Sequence, residues 1–384
     1  MNLATSAFQR GSPFARTIPA TFLRGGTSKG IFLQQSHLPQ DKSEWNEIFL
    51  GLMGSPDAEY GRQLNGMGGG VSSLSKICVV QPASVEQRRL LGVDVEYTFV
   101  QVGIRDSAID YSGNCGNLSS MIGVFALDEG MVDNSFTENH FSVRAFNTNT
   151  QKVVNTAFPI DRKSGLADLS LPETRIAGVS GEASQIQLDF YRPSGARTGK
   201  LLPTGAPMIQ LEITKGAFHM SLVDATNPTV FVDRVEIINA SSTEDPSSHE
   251  QLRLLEVLRR EGAIRMGLDP NVQAQPKIAM VSSPNANDDE ADIEIIALSM
   301  GVPHKAVPMT VGLCLGVAAN TQNTLPYTLA RRIPVHNASR SQFVKLRHPG
   351  GVVEVGATFD ANGEVESASV IRTGRRLMKG HVWY

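Results

Sequence analysis

Residues 112–127 read Ser-Gly-Asn-Cys-Gly-Asn-Leu-Ser-Ser-Met-Ile-Gly-Val-Phe-Ala-Leu, a polar run with two glycines followed by small and apolar residues. The apolar part, residues 118–127, offers no wide polar face and therefore predicts a helix that is buried all round. Such a helix would begin just after Cys115 and would place that thiol at its N-terminus. Cysteines in this position are often reactive, so the stretch predicts a core helix with a chemical group beside it.

A second stretch repeats this pattern in the other half of the chain. Residues 308–319 read Pro-Met-Thr-Val-Gly-Leu-Cys-Leu-Gly-Val-Ala-Ala and place Cys314 near the start of an apolar segment. A chain of 384 residues is larger than one hydrophobic core usually supports. The echo therefore predicts two domains of similar architecture, each offering a buried helix N-terminus to a shared cleft. A Pro- and Gly-rich linker near residue 195 divides them into residues 1–194 and 195–384.

Local patterns predict several ordinary elements. Apolar residues at helical spacing follow Asp41, and the predicted buried face of this helix consists of Trp45, Ile48, Phe49 and Leu52. Ser248 and Gln251 form a capping-box pattern at the start of a helix in the second half. Alternating residues predict a half-buried strand from 93 to 99, and Cys78 lies in an apolar run that predicts core.

Composition restricts the class of protein. The 35 basic and 38 acidic residues are scattered along the chain, which predicts no nucleic-acid partner. No apolar run approaches the roughly 20 residues of a membrane helix, so we expect a soluble protein without a membrane partner. Three widely spaced cysteines favour a reducing compartment and hence the cytoplasm. Residues 1–20 contain arginine but no acidic residue, which keeps a mitochondrial targeting segment open.

Three Gly- and Ser-rich runs dominate the first third of the chain, at residues 24–30, 68–76 and 111–117. Glycine lets the backbone approach a ligand, and successive free N–H groups bind anions. The runs therefore predict a carboxylate or phosphate ligand. Two of them also carry a group that can move protons, Lys76 and Cys115, and these are the candidate catalytic residues.

Other kinds of site are not supported by the sequence. The glycines at 66, 68 and 70 do not complete G-x-G-x-x-G, because Val71 replaces the last glycine, and Gly199-Lys200 is followed by leucine instead of the Ser or Thr of a P-loop. The eight histidines are isolated, which predicts no bound metal. We therefore expect acid–base chemistry on a small polycarboxylate, without a cofactor.

The motifs resemble those of the PrpF family, which includes 2-methylaconitate cis-trans isomerases, methylitaconate delta-isomerase, oxalomesaconate tautomerase and aconitate isomerase. They are R-G-G-T-S-K-G at 24–30, S-x-x-S-K ending at Lys76, S-G-N-C-G-N at 112–117, L-L-P-T-G at 201–205, D-A-T-N-P at 224–228 and R-T-x-R-R at 372–376. The resemblance implies an α+β fold like that of diaminopimelate epimerase. In that fold two pseudo-symmetric domains each wrap a mixed, mostly antiparallel sheet around a central helix.

The resemblance also implies the site and the reaction. Lys76 and Cys115 fall on the family's catalytic lysine and cysteine, with Lys76 the principal proton carrier. The substrate-binding residues are then expected to be Arg24, Thr27, Ser28, Lys29, Gly69, Gly70, Ser72, Ser73, Asn114, Gly116, Asn117 and Cys314. The implied reaction is an allylic proton shift on an unsaturated tricarboxylic acid such as aconitate or 2-methylaconitate.

Three alternatives remain open at this point. An oxo-acid tautomerase of the oxalomesaconate type would use the same residues. An amino-acid racemase or epimerase would use Cys115 and Cys314 as paired thiols on opposite faces of the substrate. A non-catalytic protein that binds a carboxylate would need the anion site but not Lys76. A homodimer is compatible with all of these interpretations.

Overall fold

The computed structural model describes residues 16–111, 113–133, 139–273, 275–299, 301–331 and 342–384. Most of the predicted targeting segment and Ser112 of the cysteine motif lie outside these ranges. Within these ranges nineteen strands form the framework. They are β1 (Thr17–Gly25), β2 (Ser28–Gln34), β3 (Lys76–Pro82), β4 (Val95–Val102), β5 (Ile109–Asp110), β6 (His140–Asn147), β7 (Lys152–Asp161), β8 (Leu166–Ala167), β9 (Ile186–Tyr191), β10 (Ile209–Ile213), β11 (Gly216–Ala225), β12 (Asn227–Asp233), β13 (Lys277–Ser282), β14 (Ile293–Ser299), β15 (Val302–Pro303), β16 (Gln342–His348), β17 (Gly351–Phe359), β18 (Val365–Arg372) and β19 (Gly374–Trp383).

The strands pair in two matching halves. The first half runs β19-β1-β2-β3-β4-β6-β7-β9, and the second runs β10-β11-β12-β13-β14-β16-β17-β18. In each half the third and fifth pairs are parallel and all other pairs are antiparallel. An antiparallel pair, β9 with β18, joins the two halves. The internal echo in the sequence therefore corresponds to a repeated strand order.

The position of β19 refines the domain division. This strand pairs with β1 along its whole length, from Thr17 opposite Trp383 to Gly25 opposite Gly374. Residues 374–383 thus belong to the sheet of the first half, although they come last in the chain. We propose two domains that consist of residues 17–191 with 374–383, and of residues 209–372.

Helices cover both faces of this framework. They are α1 (Trp45–Met53), α2 (Val85–Leu91), α3 (Gly116–Ser119), α4 (Ile122–Asp128), α5 (Arg234–Ser241), α6 (His249–Arg265), α7 (Met309–Ala319) and α8 (Leu325–Leu329). The inner faces of both halves share one apolar core around α4 and α7, in which the rings of Phe32 and Phe125 lie 5.5 Å apart. Two smaller cores bind α1 to the first half and α5 with α6 to the second. The α+β fold is therefore confirmed.

The stretch that follows Cys115 is a buried helical segment, as predicted, but it is interrupted. The break between α3 and α4 lies at Ser120 and Met121. Ser119 Oγ donates to the carbonyl of Cys115 at 3.1 Å, and Ser120 Oγ donates to the carbonyl of Asn117 at 2.7 Å. Serine side chains that bond backbone carbonyls in this way bend helices.

The other local predictions hold with small changes. Trp45, Ile48, Phe49 and Leu52 are buried on α1, although Asp41 caps the 3-10 turn that precedes this helix. Ser248 caps α6, but the side chain of Gln251 bonds the carbonyl of Thr243, so no capping box forms there. Cys78 is buried, as predicted. Within the described residues, no helix combines the length and the hydropathy needed to cross a membrane.

Candidate active site

Cys115 caps the N-terminus of α3 with an extended backbone (φ −110°, ψ 99°). The thiol is partly buried and donates to Ser28 Oγ at 3.8 Å. Asn114 holds the loop from the other side, because its Nδ2 donates to Ser119 Oγ at 3.1 Å. The first intrahelical bond runs from the amide of Ser119 to the carbonyl of Cys115. The amides of the first helical turn therefore remain available for an anion.

The turn between β1 and β2 packs against this helix terminus. Gly26 has φ +52°, and a Cβ there would lie 2.3 Å from Asn117 Oδ1, so the position requires glycine. Asn117 Nδ2 donates to Thr27 Oγ1 at 3.0 Å and to Ser28 Oγ at 3.4 Å. Arg24 donates to the carbonyl of Gly26 at 2.9 Å. Asn117 therefore holds Thr27 and Ser28 beside the start of α3, whereas Arg24 bonds the backbone of the turn and Thr373.

Arg372 adds a buried cation to the cluster. Its Nε donates to Asn117 Oδ1 at 3.1 Å, and its Nη2 contacts Met309 Sδ at 2.9 Å. Burial lowers the pKa of Arg372 to about 10, and the neighbouring Cys115 acts in the opposite direction. The guanidinium is therefore charged at neutral pH. Within the described ranges no carboxylate pairs with it, which is costly for a buried charge.

Arg372 belongs to the R-T-x-R-R motif, but the sequence alone did not identify it as a site residue. The motif contains three arginines, and only the folded strands distinguish them. Arg376 forms an ion pair with Asp128 at 2.5 Å, and Arg375 is exposed. Arg372 ends the almost fully buried strand β18, whereas Arg375 and Arg376 lie on the more exposed β19, and this difference has no signature within the motif itself.

The N-terminus of α7 faces this cluster from the second half. A Cβ on Gly116 would lie 3.0 Å from Met309 Cγ, so the first turns of α3 and α7 are in contact. The turn between β11 and β12 approaches α7 as the β1–β2 turn approaches α3, since Thr226 Oγ1 donates to the carbonyl of Thr310 at 2.8 Å. The structure thus brings together two helix N-termini, as the internal echo predicted.

Lys76 is the first residue of β3, and its side chain is largely buried at 8% exposure. The amine donates to Gln101 Oε1 and lies 5.1 Å from the centre of the Phe99 ring. Both Lys76 and Cys115 act electrostatically on Cys78. Burial raises the pKa of Cys78, Cys115 raises it further, and Lys76 lowers it. Both predicted catalytic groups therefore lie near the same buried thiol.

The Gly- and Ser-rich loop leads directly into Lys76. The amide of Gly70 donates to Gln63 Oε1 at 3.0 Å, which anchors the loop, and Gly69 is exposed. Ser72 and Ser73 lie in a 3-10 turn whose first hydroxyl is exposed and whose second is half-buried. The backbone around these predicted binding residues is thus ordered and partly accessible beside the lysine.

Two predicted binding residues lie away from the cluster. Lys29 follows Ser28 on β2, so its side chain points to the opposite face, and its amine lies 5.8 Å from the centre of the Phe22 ring. Cys314 lies more than one turn inside α7, is fully buried and contacts the carbonyl of Val223 at 3.5 Å. Burial raises the pKa of Cys314 to about 12.

The expectation that Cys314 occupies the position equivalent to Cys115 was wrong, because Cys314 is buried inside α7 and does not lie at its N-terminus. Pro308 caps α7 and occupies the position that Cys115 occupies on α3. The thiol pair of a racemase is therefore not assembled at this site, because the second thiol faces the core.

A separate cavity of about 500 Å³ lies in the second half, beside α5, β13, β14 and β16. Its two arginines are already neutralised, since Arg347 pairs with Asp288 and Arg234 lies 3.6 Å from Glu294. Arg372 differs from both because it is buried and pairs with no acidic side chain in the described part of the structure. Among the described residues, no group of three or more His, Cys, Asp or Glu side chains is placed to hold a metal ion.

Comparison with known proteins identifies the class. The 3-methylitaconate isomerase of Eubacterium barkeri is 34% identical over 387 residues, which cover 95% of this chain and 97% of that protein. A 2-methyl-aconitate isomerase of Shewanella oneidensis is 32% identical over 399 residues, with coverage of 95% and 96%. The fold and the site, together with these relatives, define an isomerase. The family model described as PrpF protein matches residues 15–384, and the chain belongs to that family.

A solved structure gives the same result for the fold. The crystal structure of a methylitaconate-delta-isomerase superposes with a TM-score of 0.84 at 33% identity and covers 96% of both chains. The (4E)-oxalomesaconate Delta-isomerase of Novosphingobium sp. is 29% identical over 370 residues, covering 95% of this chain and 97% of that protein. The diaminopimelate epimerase-like architecture implied by the motifs is confirmed by these matches.

Proposed function

We propose that this protein isomerises an unsaturated tricarboxylic acid, aconitate or 2-methylaconitate, by moving an allylic proton without a cofactor. The proposal rests on the position of Arg372. This buried cation lies beside Cys115 and the first turn of α3, and it has no acidic partner in the described structure. A substrate carboxylate would neutralise this charge, and its oxygens could accept from free amides at both helix N-termini. The site is therefore suited to an anion with more than one carboxylate.

Proton transfer is assigned to Lys76 and Cys115. Lys76 removes a proton from the CH₂ group next to a carboxylate, and the C–H electrons move into the conjugated system to give a dienolate. Negative charge then builds on the carboxylate oxygens, where Arg372 and the backbone amides stabilise it. The proton returns at another carbon, which moves the double bond, or returns after a bond rotation, which exchanges cis and trans isomers.

The named relatives support this substrate class. Their names refer to 3-methylitaconate, 2-methyl-aconitate and oxalomesaconate, which are all unsaturated carboxylic acids. Each of these reactions relocates a double bond or a proton. An oxalomesaconate-type substrate is the second candidate for the present chain, because the same base and cation would serve it.

The test is proton NMR of the purified protein in D₂O with cis-aconitate and, separately, 2-methylaconitate. We expect deuterium to enter the CH₂ group and the isomeric acid to appear. Lys76→Ala should lower the exchange rate by about 10²- to 10⁴-fold, the usual contribution of a general base. Lys29→Ala is the matched control and should remain close to wild type, because Lys29 lies on the opposite face of β2.

Three outcomes would contradict the proposal. Folded wild-type protein that exchanges neither acid would exclude aconitate and 2-methylaconitate as substrates, and the assay would then be repeated with an oxo acid. Exchange that survives in Lys76→Ala at the wild-type rate would remove Lys76 from the mechanism. Binding of the acids without turnover in wild type would support the non-catalytic role.

A further inference from the structure

Gln101 is the residue directly opposite Lys76 in the antiparallel pair β3–β4. Its amide oxygen accepts a hydrogen bond from the lysine amine. Its amide nitrogen donates to the carbonyl of Ser75 at 2.8 Å and to the carbonyl of Ser72 at 3.2 Å. These two carbonyls can only accept, so they fix the orientation of the amide and direct its oxygen at Lys76.

The surroundings of the lysine make this contact significant. The amine is largely buried against the Phe99 ring, and no carboxylate of the described residues lies within ion-pair distance of it. Cys78 on the same strand is a titratable group within electrostatic reach of the amine, since Lys76 lowers the pKa of that thiol while Cys115 at α3 raises it. Asp110 of β5 lies beyond Gln101 in the same cross-strand row. The acceptor that actually holds the amine is therefore a neutral amide.

A neutral acceptor fits a proton-carrying lysine better than a charged one. A carboxylate in this place would stabilise the ammonium form strongly and would hinder removal of its proton. The amide still directs the amine, because a buried lysine has four rotatable side-chain bonds that must be fixed before it can transfer a proton reproducibly. Gln101 also connects the amine to the loop of Ser72 and Ser75, which is the predicted carboxylate-binding loop.

We propose that Gln101 is a positioning residue that aims the Lys76 amine at the substrate and couples it to the serine loop. This inference rests on the proposed role of Lys76. It names a residue outside every motif quoted for the family, since Gln101 lies on β4 between the second and third glycine-rich runs.

Two substitutions distinguish the orientation of the Lys76 amine from the effect of a charge beside it. Gln101→Met keeps the length of the side chain but removes the acceptor, and we expect kcat to fall about 10- to 100-fold with little change in KM. Gln101→Glu keeps an acceptor but adds a negative charge, and we expect the acid limb of the pH–kcat/KM profile to move up by about one pH unit or more. A structural role alone would not shift that limb.

Gln81 provides the matched control. It lies on the same strand as Lys76 and forms the same kind of cross-strand contact, with Glu96 of β4. Gln81→Met and Gln81→Glu should leave both kcat and the pH profile at wild-type values. Circular dichroism and the urea midpoint of every variant establish that each protein is folded.

A second measurement keeps the inference testable without turnover. Protein labelled with ¹³Cε-lysine gives an NMR signal for Lys76, which is assigned by its absence in Lys76→Ala. In Gln101→Glu this signal should titrate at higher pH than in wild type, whereas Gln81→Glu should not move it. Unchanged kinetics and an unchanged Lys76 titration in the Gln101 variants would overturn the inference. Absence of turnover in wild type, together with a shifted titration, would instead overturn the proposed function and leave the Gln101 contact standing.

Discussion

The two halves of the molecule share one strand order but differ at the helix that each presents to the centre. In the first half Cys115 caps the short helix α3 and faces Ser28, and in the second half Pro308 caps the longer α7 while Cys314 faces the core. The proposed proton carriers, Lys76 and Cys115, both come from the first half. The second half contributes Met309 and the buried cation Arg372. The comparison teaches that two halves with one strand order can present different chemical groups at the same place, and under the proposed function these groups would separate proton transfer from charge compensation.

Among the tests of this comparison between the halves, the largest expected effect concerns charge compensation. Arg372→Met should lower kcat/KM about 10²- to 10³-fold, because the developing carboxylate charge loses its buried partner. Arg372→Lys should recover little, since an ammonium group cannot present the planar guanidinium fork. Steady-state kinetics with the preferred acid measures both, and Arg375→Met in the same turn is the exposed control. Equal activity of the variants at 372 and 375 would contradict the proposed role of Arg372 in charge compensation.

The second prediction compares the two cysteines. Cys115→Ala should slow exchange of the substrate C–H in D₂O about 10²-fold if the thiol carries one of the two proton transfers. Cys314→Ala should leave that rate unchanged and lower the free energy of unfolding by about 1 kcal/mol, because it only removes a buried sulfur from the core. Exchange and urea unfolding are measured on both variants. A slow Cys314→Ala enzyme of normal stability would restore the paired-thiol mechanism.

The two matching turns give the third prediction. Gly26 and Thr226 both have positive φ, at +52° and +62°. Gly26→Ala should destabilise the protein by about 1–2 kcal/mol from backbone strain alone, and the clash with Asn117 adds to this. Thr226→Gly should change stability by less than about 1 kcal/mol, since relief of strain offsets the lost bond to Thr310. The urea midpoints of the two variants measure these changes in stability. A larger loss of stability in Thr226→Gly than in Gly26→Ala would show that the turns are not equivalent.

The fourth prediction is a pH dependence of stability in the second half, which leaves activity at neutral pH unchanged. Burial lowers the pKa of His348 to about 4, and Arg372 and His304 contribute in the same direction. The unfolded chain takes up a proton near the ordinary value of about 6.5, so the stabilisation is complete above that pH and is lost as pH falls toward 4. Wild type should therefore lose more stability than His348→Asn between pH 7 and pH 4.5 in urea titrations. Equal losses would show that this histidine is not responsible.

Much of the site could be predicted from short motifs. Cys115, Asn117, Ser28 and Gly26 belong to two runs that were recognisable as anion-binding backbone, and the structure brings these runs into contact. The internal echo likewise predicted a repeated architecture. Such features depend on neighbours in sequence, which is why they were visible before any fold was known.

The remaining features depend on strand register. Gln101 meets Lys76 only because β3 and β4 pair in one alignment, and Arg372 meets Asn117 across 255 residues. Neither contact has a local signature. Lys29 is a different case, since the alternation of side chains along a strand separates it from Ser28, and that rule could have been applied to the sequence alone.

The return of β19 to β1 sets a timing constraint on biosynthesis. Arg24 bonds Thr373 although 349 residues separate them, so β1 leaves the ribosome long before its partner strand is made. At about 5–20 residues per second this interval lasts roughly 20 to 70 seconds. During that time β1 is an unpaired edge with apolar residues such as Ile18 and Leu23, the kind of surface to which other nascent chains add. We therefore expect the nascent first half to be the aggregation-sensitive species until the strand at 374–383 has been synthesised.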